Sequence, residues 1–146
     1  LYTTIKRYAQ KGILIPIQKG FYSTLPIAKI QPVILGVGFL HTFTYLSCES
    51  ILFEKGVISQ LPQVITLVSS ISKKFTIADQ SFLTRRLKNN FLYNSAGIEE
   101  KSNFFQASLE RSVADMLYFN PKYYFDNRQL IKWDQVNKLQ KEIGFI

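Results

Sequence analysis

An α+β fold is predicted for this chain, and three observations predict it. Apolar residues make up 47% of the 146 positions and charged residues 19%, a composition that builds a packed core rather than a disordered chain. Segments with helical spacing of apolar side chains stand among short runs rich in β-branched residues. Charge divides the chain unevenly. Residues 1–48 carry five bases, Lys6, Arg7, Lys11, Lys19 and Lys29, and no acid, whereas the remaining thirteen bases share residues 49–146 with all ten acids. A net charge of +8 concentrated in this way suits a polyanion, and DNA is the polyanion it suits best.

The first element is a helix over residues 1–11. Leu1, Ile5, Tyr8 and Ala9 fall at helical spacing and leave Thr3, Lys6, Arg7 and Gln10 on the opposite side. Gly12 ends it. Residues 13–17 read as a strand, Gln18-Lys19-Gly20 as a turn whose glycine can take φ > 0, and residues 21–24 as the return strand. A basic helix running into a tight hairpin is the second half of a winged helix-turn-helix. Pro26 and Pro32 bracket a connector, which places a module boundary between residues 1–25 and 26–146.

Beyond the connector, residues 33–35 suggest a strand, with Gly36 and Gly38 disfavouring a long helix. Ser47 is a candidate N-cap for a helix over 48–55, Glu49 suits its first turn, and Gly56 stops it. Residues 63–68 read as a strand. Two more follow at 74–78 and 81–88, joined by a turn at Asp79-Gln80. Residues 89–93 extend the second of these or begin another, 94–103 form a polar loop, and 104–107 a short strand. Ser108 caps a helix over 109–119, with Leu109, Val113, Met116 and Leu117 on one side and Pro121 beyond its end. Asp134 caps a last helix over 135–143, striped by Val136, Leu139 and Ile143 and closed by Gly144. The expected second module is thus a mixed sheet with about three helices.

Composition narrows the function classes. The single cysteine, Cys48, forbids an internal disulfide and points to a reducing, cytoplasmic setting. The longest apolar run, 32–40, falls well short of the ~20 residues that cross a bilayer, so no membrane partner is expected. No signal-peptide pattern opens the chain. It begins with Leu1, and a complete helix-turn-helix needs a helix ahead of that point, so upstream residues are expected.

The candidate DNA contacts are Thr3, Lys6, Arg7 and Gln10 from the helix, with Gln18 and Lys19 from the wing. Arginine grips guanine with two bonds, glutamine does the same with adenine, and a wing meets the backbone. Arg85, Arg86 and Lys88 form a candidate second basic patch, for DNA or an acidic partner, or else the charge that guards an edge strand. Asp79, Glu99 and Lys101 superficially suit a metal-dependent nuclease, which needs two carboxylates on a metal and a lysine near the scissile phosphate, although Glu99 falls in the predicted loop. Glu110 and Asp115 are five apart, about 500° round a helix, and share no face; the plain reading has Glu110 at the helix start and Asp115 anchoring a neighbouring loop.

Gly36-Val37-Gly38 lacks the third glycine of a dinucleotide loop, its place being taken by His41, and reads as a bend. His41 and Cys48 have no companions at metal-ligand spacing, and no nucleophile-elbow pattern is present. No cofactor, metal or catalytic residue is therefore assigned. The aromatic residues read mostly as core, with Tyr123, Tyr124 and Phe125 as an alternative exposed partner patch. A pure protein-interaction domain, its basic start contacting an acidic partner, remains a further reading.

The order of segments resembles the AbiEi-type antitoxins, the antitoxin half of abortive-infection (type IV) toxin–antitoxin pairs. Three phrases carry the resemblance. Lys11-Gly12-Ile13-Leu14 with Lys19-Gly20-Phe21-Tyr22 is similar to the family's helix-wing passage. The stretch from Tyr45 through Ser47, Glu49 and Ser50 to Gly56 and Ile58 is similar to its second helix, and Ala107 through Glu110 and Arg111 to Asp115 to a third. Ile51 and Ser112 depart from alanines in those phrases. The resemblance implies a winged helix that represses its own operon and a C-terminal module that counteracts a nucleotidyltransferase-like toxin. It implies no catalysis by the antitoxin itself.

Overall fold

Two sheets organise the residues that the computed structural model describes, which are the backbone of 15–18 and 21–23 and the whole of 31–146. The smaller sheet is the hairpin of β1 (Ile15–Gln18) and β2 (Phe21–Ser23), antiparallel, with Ile15 opposite Ser23, Pro16 opposite Tyr22 and Gln18 opposite Phe21. The register shifts between Pro16 and Gln18, which fits a proline that has no N–H to give to the ladder. The hairpin is where the turn chemistry around Gly20 predicts it. The helix expected over 1–11, with Thr3, Lys6, Arg7 and Gln10, lies outside the described residues, as does Lys19.

The larger sheet has six strands in the order β5-β6-β4-β3-β8-β7. They are β3 (Tyr45–Leu46), β4 (Ile65–Ser69), β5 (Lys73–Ile77), β6 (Gln80–Arg86), β7 (Ile98–Glu100) and β8 (Phe105–Ala107). Pairing is mixed: β4 runs parallel to β6 and β3 to β8, while β3–β4, β5–β6 and β7–β8 are antiparallel. The β5–β6 hairpin turns through Ala78 (φ 50°) and Asp79 (φ 67°), two consecutive left-handed residues, which is how a tight hairpin matches the strand twist. The helices are α1 (Pro32–Leu40), α2 (Glu49–Glu54), α3 (Asn89–Leu92), α4 (Leu109–Phe119) and α5 (Trp133–Ile143), with a 3-10 turn at Arg128–Leu130. The class is α+β, with two more helices in the second module than the sequence reading expects.

The pleat sends neighbouring residues to opposite sides, and each side carries its own core. On one, Tyr45, Val68 and Leu87 pack with Val113, Ala114 and Met116 of α4 and Val136 of α5. On the other, Leu46, Leu67, Ile77 and Phe82 pack with Val33 and Leu35 of α1. The sheet is therefore the middle of three layers.

The strand expected at 33–35 is the first turn of α1 instead. Pro32 stands at its first position, where a missing N–H costs nothing, and His41 closes it in the left-handed conformation (φ 54°). Gly36 does not bend the chain. It lets α1 lie close on the sheet, since a β-carbon there would sit 2.5 Å from the Phe82 ring. Phe82 stacks on Phe75 (5.0 Å between centroids) and Phe75 on Phe39 (4.9 Å).

The other corrections are local. Residues 89–92 form the one-turn helix α3 rather than a strand, because β6 ends at Arg86 and burying Leu92 closes the core. The loop expected over 94–103 contains β7. Cys48, not Ser47, is the N-cap of α2, and α5 begins at Trp133 with Lys132 as its N-cap. Ser108 does cap α4, its Oγ accepting from the Arg111 N–H at 3.1 Å. No described helix is long and apolar enough to cross a membrane.

Candidate functional site

The stretch holding Tyr45 and Ser47 meets the one holding Arg111 and Asp115 inside the protein. Arg111 and Asp115 lie four apart on α4, one helical turn, and both are fully buried. Arg111 Nε donates to Asp115 Oδ1 at 3.1 Å. The Tyr45 hydroxyl at the start of β3 and Ser47 Oγ just past its end both donate to Asp115 Oδ2, each at 2.8 Å. Arg111 Nη1 donates to the carbonyls of Asn94 (2.9 Å) and Ala96 (2.7 Å), and Nη2 to those of Phe91 and the Tyr45 oxygen (both 3.2 Å). The guanidinium also lies over the Tyr45 ring, 5.4 Å from its centroid.

Burial pushes the Asp115 carboxyl upward, against the pull of the Arg111 charge and the two hydroxyl donors. Burial, then the Asp115 charge, raises Tyr45 and keeps it a phenol that donates. Such a set ties α4 to β3 and to the 91–96 segment. It has no opening to solvent and therefore no place for a substrate. Asp115 anchors Tyr45 and Ser47, and the neighbouring loop is held by Arg111 instead.

A groove that does open to solvent is lined by Glu49, which is paired with Arg85. Arg85 Nη1 and Nη2 donate to the two Glu49 oxygens at 2.5 and 2.7 Å, a bidentate pair with about a fifth of each side chain exposed (21% and 22%). Burial alone would raise Glu49, but the bonds and charge of Arg85 outweigh it and hold the carboxyl below its usual value. The hydrogen bonds from Arg85 in turn raise the guanidinium. Glu49 lines a hollow of about 310 Å³ with Ile58, Leu61, Gln63, Thr66 and Tyr123. Thr66 Oγ1 is already committed to the Ser47 carbonyl (2.5 Å), and the Thr66 and Ser50 side chains exchange bonds with each other's backbone N–H (2.9 and 3.0 Å). In the groove, Glu49 is thus neutralised by Arg85 and the Thr66 hydroxyl is already bonded.

Cys48 stands at the strand-to-helix junction with φ 65° and ψ −137°, a strained backbone for a non-glycine residue. Its thiol is fully buried, and burial followed by the nearby Asp115 charge pushes it up to about 12. At neutral pH the thiol stays protonated and is a poor nucleophile. A thiol reagent is therefore expected to leave the native protein unlabelled over hours and to react within minutes once the chain is unfolded, with mass spectrometry as the readout. Fast labelling of the native state would contradict this burial.

The remaining sequence candidates fall as follows. Gln18 lies in β1, paired through its backbone with Phe21. The second basic patch divides: Arg85 is taken by Glu49, whereas Arg86 is exposed at the end of β6 and Lys88 is exposed at the N-cap of α3. Lys73 and Lys74, exposed on the adjacent β5, join Arg86 on that flank. The nuclease arrangement is overturned. Asp79 turns the β5–β6 hairpin at one edge of the sheet, and Glu99 lies on β7 at the other. Five strand spacings of ~4.8 Å separate those edges by about 24 Å. Lys101 pairs with Glu99 at 3.3 Å. Phe125 is buried and Tyr124 is 73% exposed, so that stretch is part core and part surface.

The sequence reading missed Arg111, Tyr45 and Ser47 as partners of Asp115. The four-residue spacing of Arg111 and Asp115 was the available signal. No protein-family profile, curated protein or solved structure matches this chain.

Proposed function

We propose that the chain is a DNA-binding transcriptional regulator, the antitoxin of an abortive-infection type IV pair that represses its own operon in the cytoplasm and counteracts a nucleotidyltransferase-like toxin. The observation that carries this reading is the β1–β2 hairpin set within a segment of five bases and no acids. A hairpin there supports a wing, and the residues ahead of it, Thr3, Lys6, Arg7 and Gln10, supply the polar face of a recognition helix. Gln18 ends β1 and Lys19 follows it in sequence, which suits contact with a backbone phosphate. The separation of Asp79 from Glu99 and Lys101 favours a regulator over a metal-dependent nuclease. The α+β module, held by its buried Arg111–Asp115 network, serves as the rigid body for the toxin contact.

The test is fluorescence anisotropy of the full chain with duplex DNA from upstream of its own gene. Specific binding is expected, with an unrelated duplex at least tenfold weaker, and Arg7→Ala with Lys19→Ala is expected to cost tenfold or more. Equal affinity for both duplexes, or no effect of the paired substitution, would overturn the reading.

A further inference from the structure

Three aromatic rings and one carboxylate converge beside the β7–β8 edge of the sheet. Register brings them together. Tyr45 of β3 pairs with Phe105 of β8, and Phe105 with Glu100 of β7, so all three project on the same face. Glu99 pairs with Gln106 and projects on the other face. Phe43, two residues before Tyr45, stacks on Tyr93 (5.5 Å between centroids, 27° between planes) and meets Phe105 edge-on (5.3 Å, 62°). Beside these packed rings opens a hollow of about 400 Å³, lined chiefly by Phe43, Leu92, Tyr93, Ile98, Glu100 and Phe105. Leu92 is 1% exposed and Tyr93 60%, so the hollow has an apolar side and an open aromatic rim.

We infer that this hollow binds an organic cation of the alkylated-ammonium class. Aromatic faces carry negative potential, and several rings around one cavity hold a weakly hydrated cation that a bare metal ion, tightly hydrated, does not match. Glu100 supplies the charge. Its neighbour Lys101 is turned to Glu99 at 3.3 Å, and Glu100 makes no ion pair among the described residues. Among the described residues no lysine, arginine or histidine lines the hollow, so nothing in that part of its wall favours a phosphate or carboxylate. The volume suits a small head group, whether borne by a free molecule or by a methylated lysine side chain of a partner. This site is independent of the DNA-binding reading, because the ligand charge is opposite.

Calorimetric and NMR titration of the full chain with choline tests it, against the uncharged isostere in which carbon replaces nitrogen. Saturable binding is expected, at least tenfold tighter for choline, with the Tyr93 and Phe105 ring signals moving. Tyr93→Ala and Glu100→Gln, both at exposed positions, are each expected to weaken binding about tenfold without changing the melting temperature, while Glu99→Gln leaves it unchanged. A trimethyllysine peptide that binds more tightly than choline assigns the ligand to a protein side chain, and the reverse assigns it to a free cation; either supports the site. Equal binding of the isostere, absence of saturation by choline and peptide alike, or indifference to Glu100→Gln would overturn it.

Discussion

Asp115→Ala is expected to cost about 3–5 kcal/mol of folding stability, a large part of what a domain of this size possesses. The reason is what the substitution leaves behind. Arg111 is fully buried, and without Asp115 its charge has only carbonyls and the Tyr45 oxygen as partners. The Tyr45 and Ser47 hydroxyls lose the acceptor they share at 2.8 Å. Removing both charges together, as Arg111→Met with Asp115→Leu, strands no ion and is expected to cost clearly less than the two single substitutions summed. Urea denaturation followed by Trp133 fluorescence measures all of these. A cost below about 1 kcal/mol for Asp115→Ala would be that of a surface pair and would contradict the burial described.

The second large effect is expected at Gly97. It takes φ +76°, and a β-carbon there would lie 2.7 Å from the Arg111 β-carbon. Its carbonyl accepts the Ser108 N–H at 2.8 Å, and the Ala96 carbonyl before it accepts from Arg111. Gly97→Ala therefore meets both backbone strain and a clash with the rigid base of a side chain, together about 2–4 kcal/mol. Because Gly97 and Asp115 act on one arginine, their costs are expected not to add. Denaturation of the single and double variants reads this out. A Gly97→Ala cost under about 0.5 kcal/mol would mean that the 94–97 segment is free to shift away from Arg111.

What was legible in the sequence were elements whose signals are local. Ser108 followed by the spacing of Leu109, Val113 and Met116 specifies α4 to the residue. Gly20 between apolar runs marks the β1–β2 hairpin, and the two strands around Asp79 are found within two residues of their ends. The α1 segment hid because its residues are apolar all round: with a core on one side and partly buried residues on the other, no period remains to be read. Gly36, which local rules count against a helix, is there for the approach to Phe82, a tertiary fact.

The sites divide on the same principle. Arg111 and Asp115 are a four-residue pair visible on a helical wheel, obscured by weighing Asp115 against Glu110. Arg85 reads as free surface charge until its partner, 36 residues earlier in Glu49, is placed beside it. The distance between Asp79 and Glu99 depends on the strand order, which no local pattern encodes. Glu100 joins the aromatic hollow through the β7–β8 register, and β7 itself looked like loop.

The central proposal is that the acid-free segment around the β1–β2 hairpin holds DNA through its bases. Its most direct test is the slope of log affinity against log salt concentration for the chain and its operator duplex. Each phosphate contact contributes about −0.9, so Arg7→Ala with Lys19→Ala is predicted to make the slope shallower by at least about 0.9, the wing contact of Lys19, while Arg85→Ala leaves it unchanged. A slope that ignores the first pair, or one that follows Arg85 instead, would contradict the account.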